Sequence, residues 1–190
     1  VRTLVLDKLV HSYVDLDDPK FLAYGYEKVL ADVATYVEQQ DHKLRALVIG
    51  GGGYTMPRFL ETQYPLSTVD VIEIDSEVTD VAFEYMGLPR DTKIITYNQD
   101  ARMVIPKLQD SQYDLIIGDA FNDFSVPYHL TTLEFNADVV RLLDHNGIYV
   151  VSIIDKMYSG RFLKAYVNTL QQTFPYVYVM AEHALWNDVP

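Results

Sequence analysis

The sequence has no cysteine, which removes disulfides, thiol nucleophiles and zinc–thiolate centres from consideration. Basic residues are scarce: 15 Lys and Arg stand against 27 Asp and Glu, for a formal net charge of -12. Neutralising a phosphate backbone needs clustered Lys and Arg, so no nucleic acid is expected as a partner. An acidic surface favours cationic small molecules instead. Long apolar runs are absent too. The longest, from Ile148 to Ile154, is broken by Ser152 and falls far short of the roughly 20 residues of a bilayer-spanning helix. No Gly-x-Ser-x-Gly elbow occurs, and no Gly-Lys-Ser/Thr follows the glycines. His11, His42, His129, His145 and His183 show no metal-ligand spacing, so no metal is expected and they read as surface or loop residues. The chain opens on Val1 without a leader pattern and reads as a piece of a longer polypeptide.

What is present suffices for a packed core: 49% of the 190 residues are hydrophobic. The length suits one domain with a small appendage. Residues 3–7 predict a strand, and a polar turn follows at 15–19. Residues 21–39 carry apolar side chains at helical spacing, with a start expected near Asp18-Pro19. From residue 46 onward strands and helices alternate. Strands are expected over 46–49, 68–74, 93–97, 115–117, 147–153 and 176–180. Helices are expected over 55–61, 76–86 with Ser76 as N-cap, 101–108, 132–143 and 160–173. Such alternation predicts an α/β fold, a parallel sheet with helices on both faces. A polar joint at 39–43 divides an N-terminal strand-and-helix segment, 1–40, from the α/β core, 41–190.

Four motifs carry chemistry. The apolar run Leu47-Val48-Ile49 breaks into Gly50-Gly51-Gly52-Gly53 before a helix. Glycines permit positive φ and close backbone approach, and a helix N-terminus offers free N–H groups. Ligands of α/β sheets bind beyond the carboxyl ends of the strands. Glu73 follows Gly52 by 21 residues and ends the next strand. A carboxylate about 20 residues beyond the glycines can accept from ribose hydroxyls; otherwise it is a solvated strand-end acid. Asp75 reads as the cap of the following helix. Asp100, in Asn98-Gln99-Asp100-Ala101, could accept from an exocyclic adenine amine or simply cap the helix after it. Asp119 ends Tyr113-Asp114-Leu115-Ile116-Ile117-Gly118 beside the first strand, and is a candidate base or cation ligand, or a buried turn residue. The polar, aromatic stretch 121–131 could fold over the site. Tyr24, Tyr26, Tyr54 and Tyr128 fall near the cleft.

Taken in order, these residues resemble the spermidine synthases. The resemblance runs through Leu4-Val5-Leu6-Asp7, Tyr24-Gly25-Tyr26-Glu27, the glycines, Val71-Ile72-Glu73-Ile74-Asp75, Asp100-Ala101 and Tyr113 to Asp119. It continues through His129-Leu130-Thr131-Thr132-Leu133-Glu134-Phe135, similar to the segment after that family's gate loop. Residues 11–19 are similar to a bacterial subgroup whose synthase-like domain follows a multi-pass membrane region.

The resemblance implies a Rossmann-like, seven-stranded methyltransferase-type sheet, here lacking its last strand and most of a small N-terminal β domain. It implies transfer of the aminopropyl group of decarboxylated S-adenosylmethionine to a diamine such as putrescine, without a prosthetic group. Gly50, Gly51, Gly52, Glu73, Asp100 and Ala101 would hold the donor, with Glu73 on the ribose and Asp100 on the adenine amine. Asp119 would bind the attacking amine and take its proton. Tyr24 or Tyr26, with Asn122, Asp123 and Tyr128, would line the amine side.

Two family acids are replaced, by Gly53 and Asn122. Gly53 is expected to leave a backbone N–H reachable by an anion, and so to weaken discrimination against S-adenosylmethionine itself. A cytoplasmic homodimer is expected, either free or as the cytosolic part of a membrane protein. The alternatives are an S-adenosylmethionine-dependent methyltransferase and a non-catalytic nucleoside- or polyamine-binding domain.

Overall fold

The computed structural model describes residues 1–6, 9–41, 43–121, 126–155 and 159–180. Strands β1 (Arg2–Leu6) and β2 (Leu9–Val14) pair antiparallel as a hairpin. Helix α1 (Gly25–Asp41) leads to β3 (Arg45–Ile49), and the alternation continues through α2 (Thr55–Gln63), β4 (Thr68–Ile72), α3 (Ser76–Tyr85), β5 (Ile95–Tyr97), α4 (Ala101–Val104), β6 (Tyr113–Gly118), α5 (Leu133–Leu142), β7 (Leu143–Val151) and α6 (Arg161–Leu170). Strands β3 to β7 form one parallel sheet in the order β5-β4-β3-β6-β7.

The expected α/β architecture is present, but the described sheet has five strands, not the six expected of a seven-stranded type lacking its last. Residues 176–180 join no ladder among the described residues. Tyr176 and Tyr178 are 77% and 81% exposed, and a β-favouring sequence becomes a strand only when its N–H and C=O groups find a partner.

Strand β3 shows why the central run is continuously apolar. Ala46 and Val48 pack into a core shared with Leu30, Ala34, Leu60, Val71, Leu115 and Ile117. Leu47 and Ile49 face a second core with Ile72, Ile116, Phe135, Val139 and Leu142. A parallel strand covered on both faces has no solvent side on which to place a polar residue. The hairpin joins the first core through Leu4 and Val14. No described helix is long and apolar enough to cross a membrane.

Several boundaries differ from expectation for local reasons. The first helix starts at Gly25, not near Asp18-Pro19, because Asp18 closes a turn. Its side chain accepts from Lys20 N–H and its carbonyl from Phe21 N–H. Strand β2 was not foreseen. Of the two residues read as the cap of α3, Asp75 fills the position rather than Ser76, accepting from Glu77 N–H at 2.8 Å. Helix α4 stops at Val104 and continues as a short 3₁₀ turn, Ile105–Lys107. Pro106 there has no N–H to extend the α-helical pattern. Strand β7 begins at Leu143 and contains a bulge, its register jumping from Tyr113↔Leu143 to Leu115↔Ile148. Asn146-Gly147 thus lies inside the strand rather than before it.

Candidate active site

The carboxyl ends of β3, β4 and β6 are held level by three backbone bonds that extend the ladders. Gly50 N–H donates to Ile72 O at 2.8 Å, Asp119 N–H to Ile49 O at 2.8 Å, and Glu73 N–H to Tyr97 O at 3.1 Å. Beyond them opens a cavity of about 330 Å³. Gly50, Gly51, Gly52, Glu73, Asp100, Ala101, Asp119 and Tyr26 all line it. Residues far apart in sequence are thereby brought to one place by the strand order.

The glycine turn is tightly specified. Gly50 has φ +100°, and a Cβ there would lie 2.6 Å from the Asp119 carbonyl oxygen. Only glycine combines that φ with that approach. Gly52, at φ +49°, is the second positive-φ glycine of the turn. Tyr54 follows in the left-handed region at φ 57° and is fully buried. Its hydroxyl meets Thr79 Oγ1 at 3.2 Å and Thr96 Oγ1 at 3.0 Å, and it belongs to the core rather than the cavity lining.

Glu73 is not a solvated strand-end acid. It is 8% exposed, and its Oε2 accepts from Gly51 N–H at 2.8 Å and Gly52 N–H at 3.2 Å. Its Oε1 accepts from Asp75 N–H at 2.9 Å. The carboxylate therefore braces the glycine turn while facing the cavity. Asp100 plays two parts as well. Oδ1 caps α4 through Arg102 N–H at 2.8 Å, and Oδ2 lies 3.3 Å from His129 Nε2.

Asp119 sits between the glycine turn and the start of α1. Its Oδ2 accepts from Tyr26 Oη at 3.4 Å. Its Oδ1 is shielded from solvent and has no hydrogen-bond partner among the described residues, the nearby Ser152 hydroxyl being itself unpaired. Burial pushes the carboxyl up to about 7. The Glu27 carboxylate adds to the rise, and the hydroxyls of Ser152 and Tyr26 pull the other way. Burial raises the Tyr26 hydroxyl as well, with Asp119 and Glu27 adding to it.

Two expected residues lie elsewhere. Tyr24 stands behind Tyr26, ring centroids 5.6 Å apart, with its hydroxyl 3.4 Å from Val10 O. Tyr128 is 83% exposed and stacks edge-on against His129. Neither lines the cavity. Asn122 and Asp123 lie outside the described residues.

Gly53 also departs from expectation. Its N–H is not available to an anion, because it donates to Ser12 Oγ at 2.8 Å. Sequence reasoning missed Ser12, Glu27 and Gln99 as lining residues, and placed His11 and His129 on the surface. For Glu27 a signal existed: it is the third residue of α1, where an acid turns back to the helix start.

Residues 23–183 match the profile of the spermine/spermidine synthase domain. The chain belongs to this family. A polyamine aminopropyltransferase of Vibrio vulnificus is 36% identical over 172 residues, covering 80% of this chain and 57% of the relative. The crystal structure of a probable spermidine synthase from Corynebacterium glutamicum superposes with a TM-score of 0.80 at 29% identity, covering 88% of this chain and 61% of that one. The chain thus spans less than two thirds of either relative. A Xenopus laevis eEF1A lysine and N-terminal methyltransferase is 31% identical over 141 residues, covering 70% of this chain and 20% of the relative. In this family setting the charge of the cavity is informative. Among its described lining residues are five carboxylates, Glu27, Glu73, Asp75, Asp100 and Asp119, and no Lys or Arg.

Proposed function

We propose that the chain transfers the aminopropyl group of decarboxylated S-adenosylmethionine to a small diamine, with Asp119 as the base. The observation that carries this reading is the state of Asp119: a desolvated carboxyl with one oxygen unpartnered among the described residues, held near neutral pKa in an acid-lined cavity beside the glycine turn.

The acceptor is an ammonium of pKa about 10 that must lose a proton to react. Asp119 binds it, and a cation so placed favours the ionised carboxylate. Asp119 takes one proton from that ammonium, and the freed amine attacks the methylene carbon bonded to the sulfonium. A C–N bond forms, the C–S bond breaks with its electron pair passing to sulfur, and the elongated amine leaves as a secondary ammonium. Methylthioadenosine leaves as the neutral product. Glu73 and Asp100 hold ribose and adenine, Gly50 to Gly52 let the donor approach the backbone, and Tyr26 orients Asp119. Holding the two reactants in line supplies much of the rate.

A second reading, methyl transfer from S-adenosylmethionine, is favoured by the methyltransferase likeness over 70% of the chain. Incubation with each donor plus putrescine separates the two. Methylthioadenosine is expected with the decarboxylated donor. S-adenosylhomocysteine from the other donor would replace the first reading by the second, and binding without product would make this a sensing domain.

A further inference from the structure

Tyr54 is held in a conformation that a large side chain normally avoids. Its φ of 57° lies in the left-handed region, where a bulky L-residue is a steric outlier. It stands at the start of α2, yet its side chain makes no capping bond and is fully buried. Its N–H closes the turn on Gly51 O at 2.8 Å. Its ring lies against Gly51. A Cβ on Gly51 would be 2.8 Å from Tyr54 Cε2 and 3.2 Å from Glu73 Oε2. The hydroxyl is anchored to two further elements, 3.2 Å from Thr79 Oγ1 on α3 and 3.0 Å from Thr96 Oγ1 on β5. From Thr79 the bonding runs on. Asn98 Nδ2 donates to Thr79 Oγ1 at 2.7 Å and to the Glu73 carbonyl at 3.3 Å. The Glu73 carboxylate in turn accepts from Gly51 and Gly52 N–H. The path thus returns to the glycine turn where it began. A buried tyrosine needs a partner for its hydroxyl, but it does not need a strained backbone. Such strain persists only where the surroundings over-determine it, and it gathers at ligand clamps.

We propose that Tyr54 is a positioning residue for the ribose of the donor. Its hydroxyl draws the chain into the left-handed turn. Through Thr79 and Asn98 it also sets the spacing of Glu73 and the glycine N–H groups before the nucleoside arrives. This rests on the reading of the cavity as the donor site. Tyr54 touches no ligand, since it is not among the residues lining the cavity. Its effect is on affinity, because a site ordered in advance loses less freedom on binding.

The test is calorimetric titration of methylthioadenosine into wild type, Tyr54→Phe, Glu73→Ala and the double variant. Phenylalanine keeps the ring and removes the hydroxyl. Tyr54→Phe is expected to bind roughly three- to tenfold more weakly, the worth of one hydrogen bond in the network, with faster amide exchange at Gly51 and Gly52. Added to Glu73→Ala it is expected to cost little more than Glu73→Ala alone, because both changes break one path. Thr79→Val cuts the same path away from the turn and is expected to weaken binding likewise. A folded Tyr54→Phe with wild-type affinity overturns the inference. If Tyr54→Phe does not fold, wild-type affinity in Thr79→Val overturns it instead. Full additivity of Tyr54→Phe with Glu73→Ala also overturns it, as the mark of a generally loosened core. All three results leave aminopropyl transfer standing. Wild type that does not bind methylthioadenosine defeats the donor reading of the cavity, and this inference with it.

Discussion

Ser12 occupies the space that a side chain at position 53 would need. Its Oγ accepts the Gly53 N–H at 2.8 Å. A Cβ on Gly53 would lie 2.7 Å from Ser12 Cβ and 3.0 Å from its Oγ. Gly53 itself is not at positive φ. The exclusion of a side chain is thus steric rather than conformational, and it comes from the N-terminal hairpin.

Gly53→Asp is therefore expected to destabilise the chain, by the roughly 1–3 kcal/mol typical of overpacking a filled site. Combining it with Ser12→Gly should recover most of the loss. Thermal melting of the single and double variants checks this. A Gly53→Asp chain as stable as wild type would mean that the hairpin yields freely.

Asp119→Asn is expected to lower turnover by on the order of 10²–10⁴, the usual worth of a general base. Methylthioadenosine affinity should change little, because the amide keeps the shape. Product release and nucleoside binding are measured separately. A variant turning over at the wild-type rate removes Asp119 as the base.

The same variant should alter the pH dependence of stability. Asp119 titrates near 7 when folded and near 4 when unfolded. Between those values the folded chain holds more protons, so this group's contribution falls as pH rises from about 4 to about 7. Melting temperatures at pH 5 and pH 7.5 should differ less in Asp119→Asn than in wild type. An unchanged difference would show that the carboxyl is solvated.

Glu73→Ala is expected to weaken methylthioadenosine binding about tenfold or more, from the loss of a charge-assisted bond worth roughly 1.5–3 kcal/mol. The N–H groups of Gly51, Gly52 and Asp75 also lose their acceptor. Amide exchange in the glycine turn should accelerate in the unliganded variant. Calorimetry reads the first effect and hydrogen exchange the second, and unchanged affinity in a folded variant would remove Glu73 from the nucleoside site.

Tyr26→Phe removes a hydroxyl that lowers the Asp119 carboxyl. The acidic limb of the pH–rate profile should therefore move to higher pH, with a modest loss in the plateau rate. A limb that stays in place would separate Tyr26 from the base.

Much of the sheet was legible because its strands are buried on both faces. Ala46 to Ile49 and Leu115 to Ile117 have no polar position to confuse the pattern. That Glu73, Asp100 and Asp119 would meet at one cavity was legible because strand topology gathers them there. What was hidden depends on partners remote in sequence. Asp70, polar in the middle of a strand, is buried because Tyr113 Oη reaches it at 2.6 Å. Ser12 has no assigned place in the sequence pattern until β2 is seen over the glycine turn. Tyr24 and Tyr26, two residues apart, look equivalent in sequence. The helix start turns one toward Asp119 and the other toward Val10.

The contact of Gly50 with the Asp119 carbonyl has a consequence for how such a scaffold can change its chemistry. At that point two loops touch main chain to main chain, with no side chain between them. The gap between the glycine turn and whatever residue follows β6 is thus fixed by ladder spacing. Substituting the acid at 119 would change the reactivity of the group presented there without moving it. A sheet gauged in this way can exchange its acceptor while the leaving group stays in register, and the likeness of this chain to both aminopropyltransferases and a methyltransferase is what such a gauge would allow.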